Sequence, residues 1–335
     1  FSSRRRHTRY ISVTGVQTCA LPIFVTIEGE PGGGKTRLSR EMISEARKQS
    51  VLVLRGKCNS LEGNVPFAPL REAFDSFISA AEKFPGDEKN RVFGLLREAA
   101  KDREAMVSRL SIGLEKVLDG KSYVKDSDAE ASQERFNDEI TEFFYNLSAK
   151  FSSLILVIDD IQWADTVTVE ILQTVSKEIH THSFMMTLMA RNDAESLKRL
   201  KTLKEHFGDS LQQEIKLLPL SNQAIGEFLS SQLGGWKIHP SIVEKLAAVT
   251  NGNPFIISEY VSSLLASGAL TLSDREWVLN ESGLHQLALG TDVFDLVLAR
   301  SKELDLATRE ILACASVDRK STRLNSSHTD ISRMP

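Results

Sequence analysis

Cysteine is scarce in this chain of 335 residues, which contains only three. Cys58 and Cys314 lie far apart in apolar surroundings, and Cys19 falls in a terminal segment considered below. This number and spacing exclude a disulfide framework and a cysteine-rich metal site. A reducing, cytoplasmic location is therefore expected.

Long apolar runs and metal-ligand spacings are also missing. The apolar stretch at residues 154–158 (LILVI) is much shorter than a membrane span, so no membrane association is expected. No Leu-Ser-Gly-Gly-Gln-like signature precedes Asp159 and no acceptor-pocket motif is found, which disfavours transport and small-molecule phosphotransfer. The histidines outside the terminal segments lack metal spacing and suggest no nucleophile–base pair; they are His180, His182, His206, His239 and His285.

The two ends of the chain are complementary at the level of their codons. Residues 13–23 (VTGVQTCALPI) can be encoded by DNA whose reverse complement translates to residues 318–328 (DRKSTRLNSSH). Residues 6–8 and 333–335 are related in the same way. Both ends resemble adapter DNA from a short-read sequencing library, translated once on each strand. We therefore expect residues 1–23 and 318–335 to be foreign to a fragment of a larger protein, and exclude them from fold reasoning.

The chain has no excess of positive charge, and it becomes more acidic once these ends are set aside. The whole chain has a formal net charge of −4. Residues 1–23 contribute +4 and residues 318–335 contribute +2, so the remaining segment carries −10. An acidic body argues against a broad nucleic-acid footprint, although not against a local one. We expect no direct nucleic-acid binding, and interpret the basic run at 198–201 (KRLK) as a solvated helix face.

The chain does contain a strand, a glycine-rich loop and a helix in succession. Residues 24–27 (FVTI) indicate a buried strand, and GEPGGGKT at 29–36 has the spacing of a phosphate-binding P-loop. Lys35 would contact the β- and γ-phosphates, the Thr36 hydroxyl would bind Mg²⁺, and the helix N-terminus would face the phosphates. A glycine turn without a ligand is the alternative. The residues predicted to contact nucleotide are Gly29, Glu30, Pro31, Gly32, Gly33, Gly34, Lys35, Thr36 and Arg37.

Two acidic residues follow the apolar stretch at 154–158. Asp159 has the position of the Walker B acid that holds Mg²⁺, and Asp160 could polarise the attacking water. Arg191 ends the next predicted strand and could contact the γ-phosphate. Lys35, Asp160 and Arg191 are therefore the candidate catalytic residues. Two turn carboxylates and an ordinary surface arginine are the alternatives. Trp163 could contact a partner or the nucleotide, but packing inside the protein is favoured.

The order of the predicted elements favours an α/β fold with a doubly wound parallel sheet. Ligands bind at the carboxyl ends of the strands in such a sheet. From Ser221 onward helices dominate, with Asn253 as a predicted N-cap and Pro254 at the first helical position. The pattern also predicts a helical region from Arg71 to about Ala149, with charge-rich interruptions near 85–90 and 119–128. Strands are predicted at 24–27, 51–54, 154–158, 184–190 and 214–218, helices at 166–179, 222–233, 241–248, 254–267 and 293–315, and a small hairpin at 269–279.

These motifs together resemble the STAND ATPases of the AAA-16 type. The resemblance covers about residues 24–317 and rests on 29–38 (GEPGGGKTRL), 156–165 (LVIDDIQWAD), Arg191 and 252–255 (GNPF). It implies the regulatory ATPase module of large, mostly bacterial signalling proteins. These include MalT-like LuxR regulators and ATPases linked to nucleotide cyclases or to Ser/Thr-kinase and histidine-kinase domains.

Two departures from the family pattern bear on the nucleotide site. Gly33 stands where the family usually has an aliphatic residue, so a more flexible loop is expected. The family carries a Gly-Arg-Glu motif before the first strand, where this chain has its adapter-like residues. An incomplete ATP site is therefore expected in this fragment.

The resemblance also implies a division into domains and a set of partners. The expected division is an α/β ATPase domain at 24–219, a smaller helical lid domain at 220–292 and the start of a truncated helical or winged-helix domain at 293–317. Pro254 would contact adenine from the lid. ATP and Mg²⁺ are the expected cofactors, and the expected partners are kinase, cyclase or DNA-binding output domains of the same parent polypeptide. Assembly into a homo-oligomer is left open.

Two functions of different classes follow. One is an ATP-hydrolysing regulatory switch, in which loss of the γ-phosphate relaxes the lid. The other is a scaffold that binds nucleotide without significant hydrolysis and acts through protein–protein contacts.

Overall fold

The computed structural model describes residues 24–49, 51–59, 65–118, 129–206, 212–280, 301 and 304–317. They belong to two compact units, with the boundary between Leu218 and Pro219. Three predictions fall outside the described residues. They concern the adapter-like ends at 1–23 and 318–335, the interruption at 119–128 and the first part of the helix at 293–315. Among the described residues, no helix combines the length and the apolar character that a membrane crossing requires.

The first unit is built on a five-stranded parallel sheet. Two of its strands, β1 and β3, are buried along their whole length, as a sheet covered on both faces requires. The strand order β2-β3-β4-β1-β5 places β4 between β1 and β3, so the carboxyl ends of these three strands lie side by side. The strands are β1 (Phe24–Gly29), β2 (Leu52–Lys57), β3 (Leu154–Asp159), β4 (Phe184–Arg191) and β5 (Gln212–Leu217). The predicted α/β fold class is thereby confirmed.

Helices cover both faces of this sheet. One face packs against a cluster with Phe74, Phe143 and Phe144, and the other against a cluster with Met42 and Ile43. The helices are α1 (Lys35–Lys48), α2 (Ala68–Ala81), α3 (Gly86–Ala99), α4 (Glu104–Val107), α5 (Ile112–Leu118), α6 (Ala129–Lys150), α7 (Thr166–Glu178) and α8 (Ala194–His206), with short 3₁₀ turns at Ile161–Trp163 and Ile179–Thr181.

Two local details differ from the predictions. The interruption expected near 85–90 lies a few residues earlier, at 82–85 between α2 and α3. Asp87 and Glu88 occupy the first turn of α3, where acidic residues complement the helix dipole, so their charges do not mark a loop. Trp163 is 38% exposed instead of packed, because the 3₁₀ turn buries Ile161 and Gln162 and leaves the indole outside.

The second unit has its own apolar core, in which Tyr260 is fully buried. The predicted hairpin is the antiparallel pair β7–β8, and β6 extends it to a three-stranded sheet in the order β6-β8-β7. A strand of two residues leaves no periodicity to detect, so β6 was not predicted. The elements are α9 (Asn222–Gln232), β6 (Lys237–Ile238), α10 (Pro240–Thr250), α11 (Pro254–Ala266), β7 (Leu270–Ser273), β8 (Glu276–Leu279) and α12 (Leu306–Val317).

Candidate functional site

The glycine-rich loop joins β1 to α1. Gly34 is the N-cap of α1 and has a φ of 99°, a left-handed conformation that a side chain would strain. Gly33 donates its backbone N–H to the carbonyl of Glu30 at 3.0 Å, which closes the loop. The chain thus turns from the end of a buried strand into a helix whose N-terminus opens toward the loop.

Lys35 folds back across this loop. Its Nζ donates to the carbonyl oxygens of Gly29 at 2.7 Å and Glu30 at 2.9 Å. Burial lowers the pKa of Lys35, and the charges of Asp160 and Asp159 act in the opposite direction. The ammonium group is therefore already desolvated and faces the acidic tip of β3.

Thr36 and Asp159 come together although they are distant in sequence. The Thr36 hydroxyl donates to Oδ2 of Asp159 at 3.3 Å, and the Asp159 residue is only 3% exposed. A hydroxyl and a carboxylate oxygen are ligands that Mg²⁺ accepts, usually with several waters retained. These two side chains therefore fit the magnesium position of a P-loop. Elsewhere, no group of three or more His, Cys, Asp or Glu side chains in the described segments could hold a metal ion.

Asp160 lies in a dense polar cluster. Its φ of 53° is left-handed and uncommon for a residue with a side chain. Oδ1 accepts a hydrogen bond from Gln162 Nε2 at 3.0 Å and lies 3.6 Å from Nε of Arg191, while Oδ2 lies 3.4 Å from Nζ of Lys57. Both carboxylate oxygens are thus engaged.

Arg191 and Arg55 bring positive charge to the same edge of the sheet. Arg191 ends β4 and stands opposite Gly29 in the register of β1 and β4. Arg55, on β2, places Nη2 3.4 Å from Oδ2 of Asp159. The carboxylate that Thr36 contacts is therefore also paired with an arginine.

Sequence reasoning assigned no role to Arg55, Lys57 or Gln162. The available signal was that Lys57 follows the strand predicted at 51–54 by only a few residues, and the carboxyl ends of parallel strands lie on the same side of the sheet as Asp159 and Arg191. The pairing of Arg55 with Asp159 bridges 104 positions and leaves no local pattern.

The remaining predicted nucleotide contacts lie outside this cluster. The side chain of Arg37 is 74% exposed and pairs with Glu41 at 3.2 Å, while Glu30 and Pro31 are exposed. Pro254 belongs to the second unit, at the start of α11, where the Asn253 side chain accepts from the backbone N–H groups of Phe255 and Ile256. The predicted N-cap role of Asn253 is thus confirmed.

Comparison with known proteins gives one family match. Residues 19–186 match the AAA ATPase domain family of the AAA-16 type. No curated protein matches the chain in sequence.

Comparison with solved structures also gives matches at low identity. Cdc6p from Pyrobaculum aerophilum is 12% identical with a TM-score of 0.46, over 80% of this chain and 63% of its own. AMPPCP-bound DnaA from Aquifex aeolicus is 14% identical with a TM-score of 0.42, over 80% and 63% of the two chains. The Orc1 protein of Aeropyrum pernix, solved with DNA, is 12% identical with a TM-score of 0.44, over 84% and 62%. The chain therefore spans less than two thirds of the length of these proteins.

Proposed function

Because the chain belongs to the AAA ATPase domain family, we propose that its first unit binds ATP with Mg²⁺ and hydrolyses ATP as a regulatory switch. The observation that carries this proposal is the contact of 3.3 Å between the Thr36 hydroxyl and Asp159, directly beside the loop that holds Lys35. That contact joins the phosphate-binding loop to an acidic strand tip, which is the arrangement that phosphoryl transfer requires.

Binding follows from the loop itself. The N-terminal N–H groups of α1 and the loop amides would donate to the phosphate oxygens. Lys35 would exchange its two carbonyl contacts for phosphate oxygens, to which a desolvated ammonium group is strongly attracted. Residues 29–34 are predicted to contact the nucleotide through their backbone. Arg37 is predicted to contact it through its exposed side chain.

Thr36 and Asp159 are the proposed ligands of the magnesium ion. When bound there, Mg²⁺ neutralises charge on the β- and γ-phosphate oxygens. The Asp159 carboxylate is held in place at the buried end of β3 and paired with Arg55. This pairing fixes the position of the carboxylate beside the Thr36 hydroxyl.

Asp160 and Arg191 are the proposed hydrolytic pair. Asp160 would accept a hydrogen bond from the attacking water, which requires that one of its oxygens be released from Lys57, Gln162 or Arg191. Arg191 would supply that release by turning toward the γ-phosphate. Loss of the γ-phosphate would return Arg191 to Asp160, so the pair can report the state of the nucleotide.

Three finer assignments rest on the sequence resemblance. They are the STAND subclass, a signalling role within a larger bacterial protein with kinase, cyclase or DNA-binding domains, and the adenine contact of Pro254. The adapter origin of residues 1–23 and 318–335 rests on the complementarity of their codons, and the cytoplasmic location rests on the scarcity of cysteine. Each stays a prediction of this proposal.

The proposal is tested first by Lys35→Ala. In the parent protein, which carries the family's segment before β1, removal of the ammonium group should abolish ATP binding, measured by calorimetric titration with Mg²⁺ present. Lys48→Ala is the matched control. Lys48 lies on the same helix, and its only ion-pair partner among the described residues is the exposed Glu45. Unchanged affinity in the Lys35 variant would refute the nucleotide site.

Hydrolysis is tested by Asp160→Asn. The variant should bind ATP with near wild-type affinity but release phosphate roughly 10²–10⁴-fold more slowly, the usual size of a general-base contribution. A steady-state phosphate-release assay measures this rate. Turnover equal to that of the wild type would remove Asp160 from the mechanism.

A nucleotide-binding scaffold is the second candidate. Its support is the engagement of both Asp160 oxygens by Gln162, Arg191 and Lys57, since oxygens that are already held by these groups are less available to an attacking water. Tight ATP binding without phosphate release, in a protein that carries the family's segment before β1, would favour the scaffold over the switch.

A further inference from the structure

A basic pocket lies between α1 and the edge strand β2. Its volume is about 380 Å³, within the range of small-molecule sites. Buried Ile43 and Val53 give it an apolar part. Its lining consists of Arg40, Ile43, Ser44 and Arg47 of α1 with Val53 and Arg55 of β2.

The two arginines that α1 contributes to this pocket are poorly neutralised. Within the described part of the chain, neither Arg40 nor Arg47 forms an ion pair. The neighbouring carboxylates of α1 are already used, because Glu41 pairs with Arg37 at 3.2 Å and Glu45 with Lys48 at 2.9 Å. Arg40 and Arg47 thus line the pocket without a carboxylate of their own helix, beside Arg55 of β2, which pairs with Asp159 at 3.4 Å.

We propose that this pocket binds a small oxyanion of the phosphate type. The planar fork of arginine matches phosphate oxygens in pairs, and the Ser44 hydroxyl is a further donor in the lining. A small anion fits better than a nucleic acid, because the site is a local pocket of about 380 Å³ and residues 24–317 carry a net charge of −10.

Occupancy of this pocket is coupled to the nucleotide site through Arg55. Arg55 lines the pocket, and its Nη2 lies 3.4 Å from Oδ2 of Asp159, the oxygen that also accepts from Thr36. This part rests on the proposed function of Asp159. A cation at Asp159 weakens the hold of that carboxylate on Arg55, which then turns its charge to the anion. Because coupling is reciprocal, an anion in the pocket favours Mg²⁺ and nucleotide equally.

The pocket is tested by titrating the full chain with inorganic phosphate and following the methyl signals of Ile43 and Val53 by NMR. Both should shift saturably, and this local readout separates the pocket from anion binding at the P-loop. The double variant R40Q/R47Q should bind phosphate more weakly than the wild type. Each arginine removed should lower the phosphate affinity by roughly tenfold or more, given the strength of charge-assisted hydrogen bonds. Both arginines are exposed, so the variant should fold normally.

A matched control loses the same charge elsewhere. Lys83 and Lys177 are exposed and do not line the pocket, so K83Q/K177Q should bind phosphate as the wild type does. Equal losses in the two double variants, or no saturable shift of the Ile43 methyl signal, would overturn the pocket. A phosphomonoester such as glycerol phosphate, titrated in parallel, shows whether the free ion or a phosphorylated small molecule binds more tightly.

The coupling is tested by repeating the phosphate titration with Mg²⁺ and a non-hydrolysable ATP analogue. Phosphate affinity at Ile43 should rise roughly fivefold or more, the lower end of typical allosteric coupling. The same affinity with and without bound nucleotide would overturn the coupling and leave the pocket standing. If nucleotide does not bind at all, the proposed function and the coupling fail together, while the phosphate response at Ile43 still decides the pocket.

Discussion

At the scale of single residues, the site depends on backbone conformations that few side chains tolerate. Gly34 has a φ of 99° and Asp160 a φ of 53°, and they flank the position proposed for the phosphates and the attacking water. Strain of this kind persists where the surrounding structure over-determines it, often at functional sites.

Gly33 differs from Gly34, since its φ is not in the left-handed range and an added Cβ would approach the Glu30 carbonyl to 3.0 Å. An aliphatic residue at position 33, as in the family, would thus need only a small shift of the loop.

Gly34→Ala should therefore destabilise the chain by roughly 1–2 kcal/mol, the cost of a left-handed alanine. Its Cβ would meet nothing within 4 Å, so the conformation alone is responsible. Gly94→Ala, in the interior of α3 and also free of neighbours within 4 Å, should instead stabilise by about 0.5–1 kcal/mol. Urea unfolding measures both, and changes of the same sign would contradict the conformational argument.

At the scale of elements, α8 is tied to the sheet by a network of charges. Lys204 donates to Glu28 of β1 at 2.8 Å and to Glu214 of β5 at 2.7 Å, and only 8% of the Glu28 side chain is exposed. Burial alone would lower the pKa of Lys204, but its hydrogen bonds to Glu214 and Glu28 raise that pKa overall. Glu28 directly precedes Gly29, so this network also holds the start of the P-loop.

Lys204→Met should destabilise the first unit by about 2 kcal/mol, because it leaves the buried Glu28 carboxylate without this cation. The double variant K204M/E28Q should recover part of the loss in a double-mutant cycle followed by urea unfolding. An additive result would show that the two side chains do not interact.

Lys204 lowers the pKa of Glu214, so the contribution of that pair to the free energy of unfolding should be complete at neutral pH and decline as the pH falls through the lowered pKa.

At the scale of the whole molecule, the chain has two units with separate apolar cores, so two unfolding transitions are expected. ATP with Mg²⁺ at a hundred times its dissociation constant should stabilise the first unit by about 2.7 kcal/mol through mass action. Calorimetric scans with and without nucleotide measure this shift, and K35A should show none. A shift of the second transition as well would support the role predicted for Pro254.

The sequence by itself determined the parts whose signal is local. The P-loop spacing, the apolar strand before Asp159 and the cap of Asn253 are all patterns within a few residues, and the structure has β1, β3 and the helix capped by Asn253 where they were expected. Buried strands and helix caps are specified by neighbouring side chains, which explains why these predictions succeed.

Only the tertiary structure decided which side chains surround the two aspartates. Arg55 and Lys57 reach them from a strand about a hundred positions away, through a strand order that no local pattern encodes. The exposure of Trp163 and the pocket beside Arg55 likewise depend on how helices and strands pack. Periodicity shows which face of an element is buried, whereas the partners of its polar ends depend on contacts between segments that are distant in the chain.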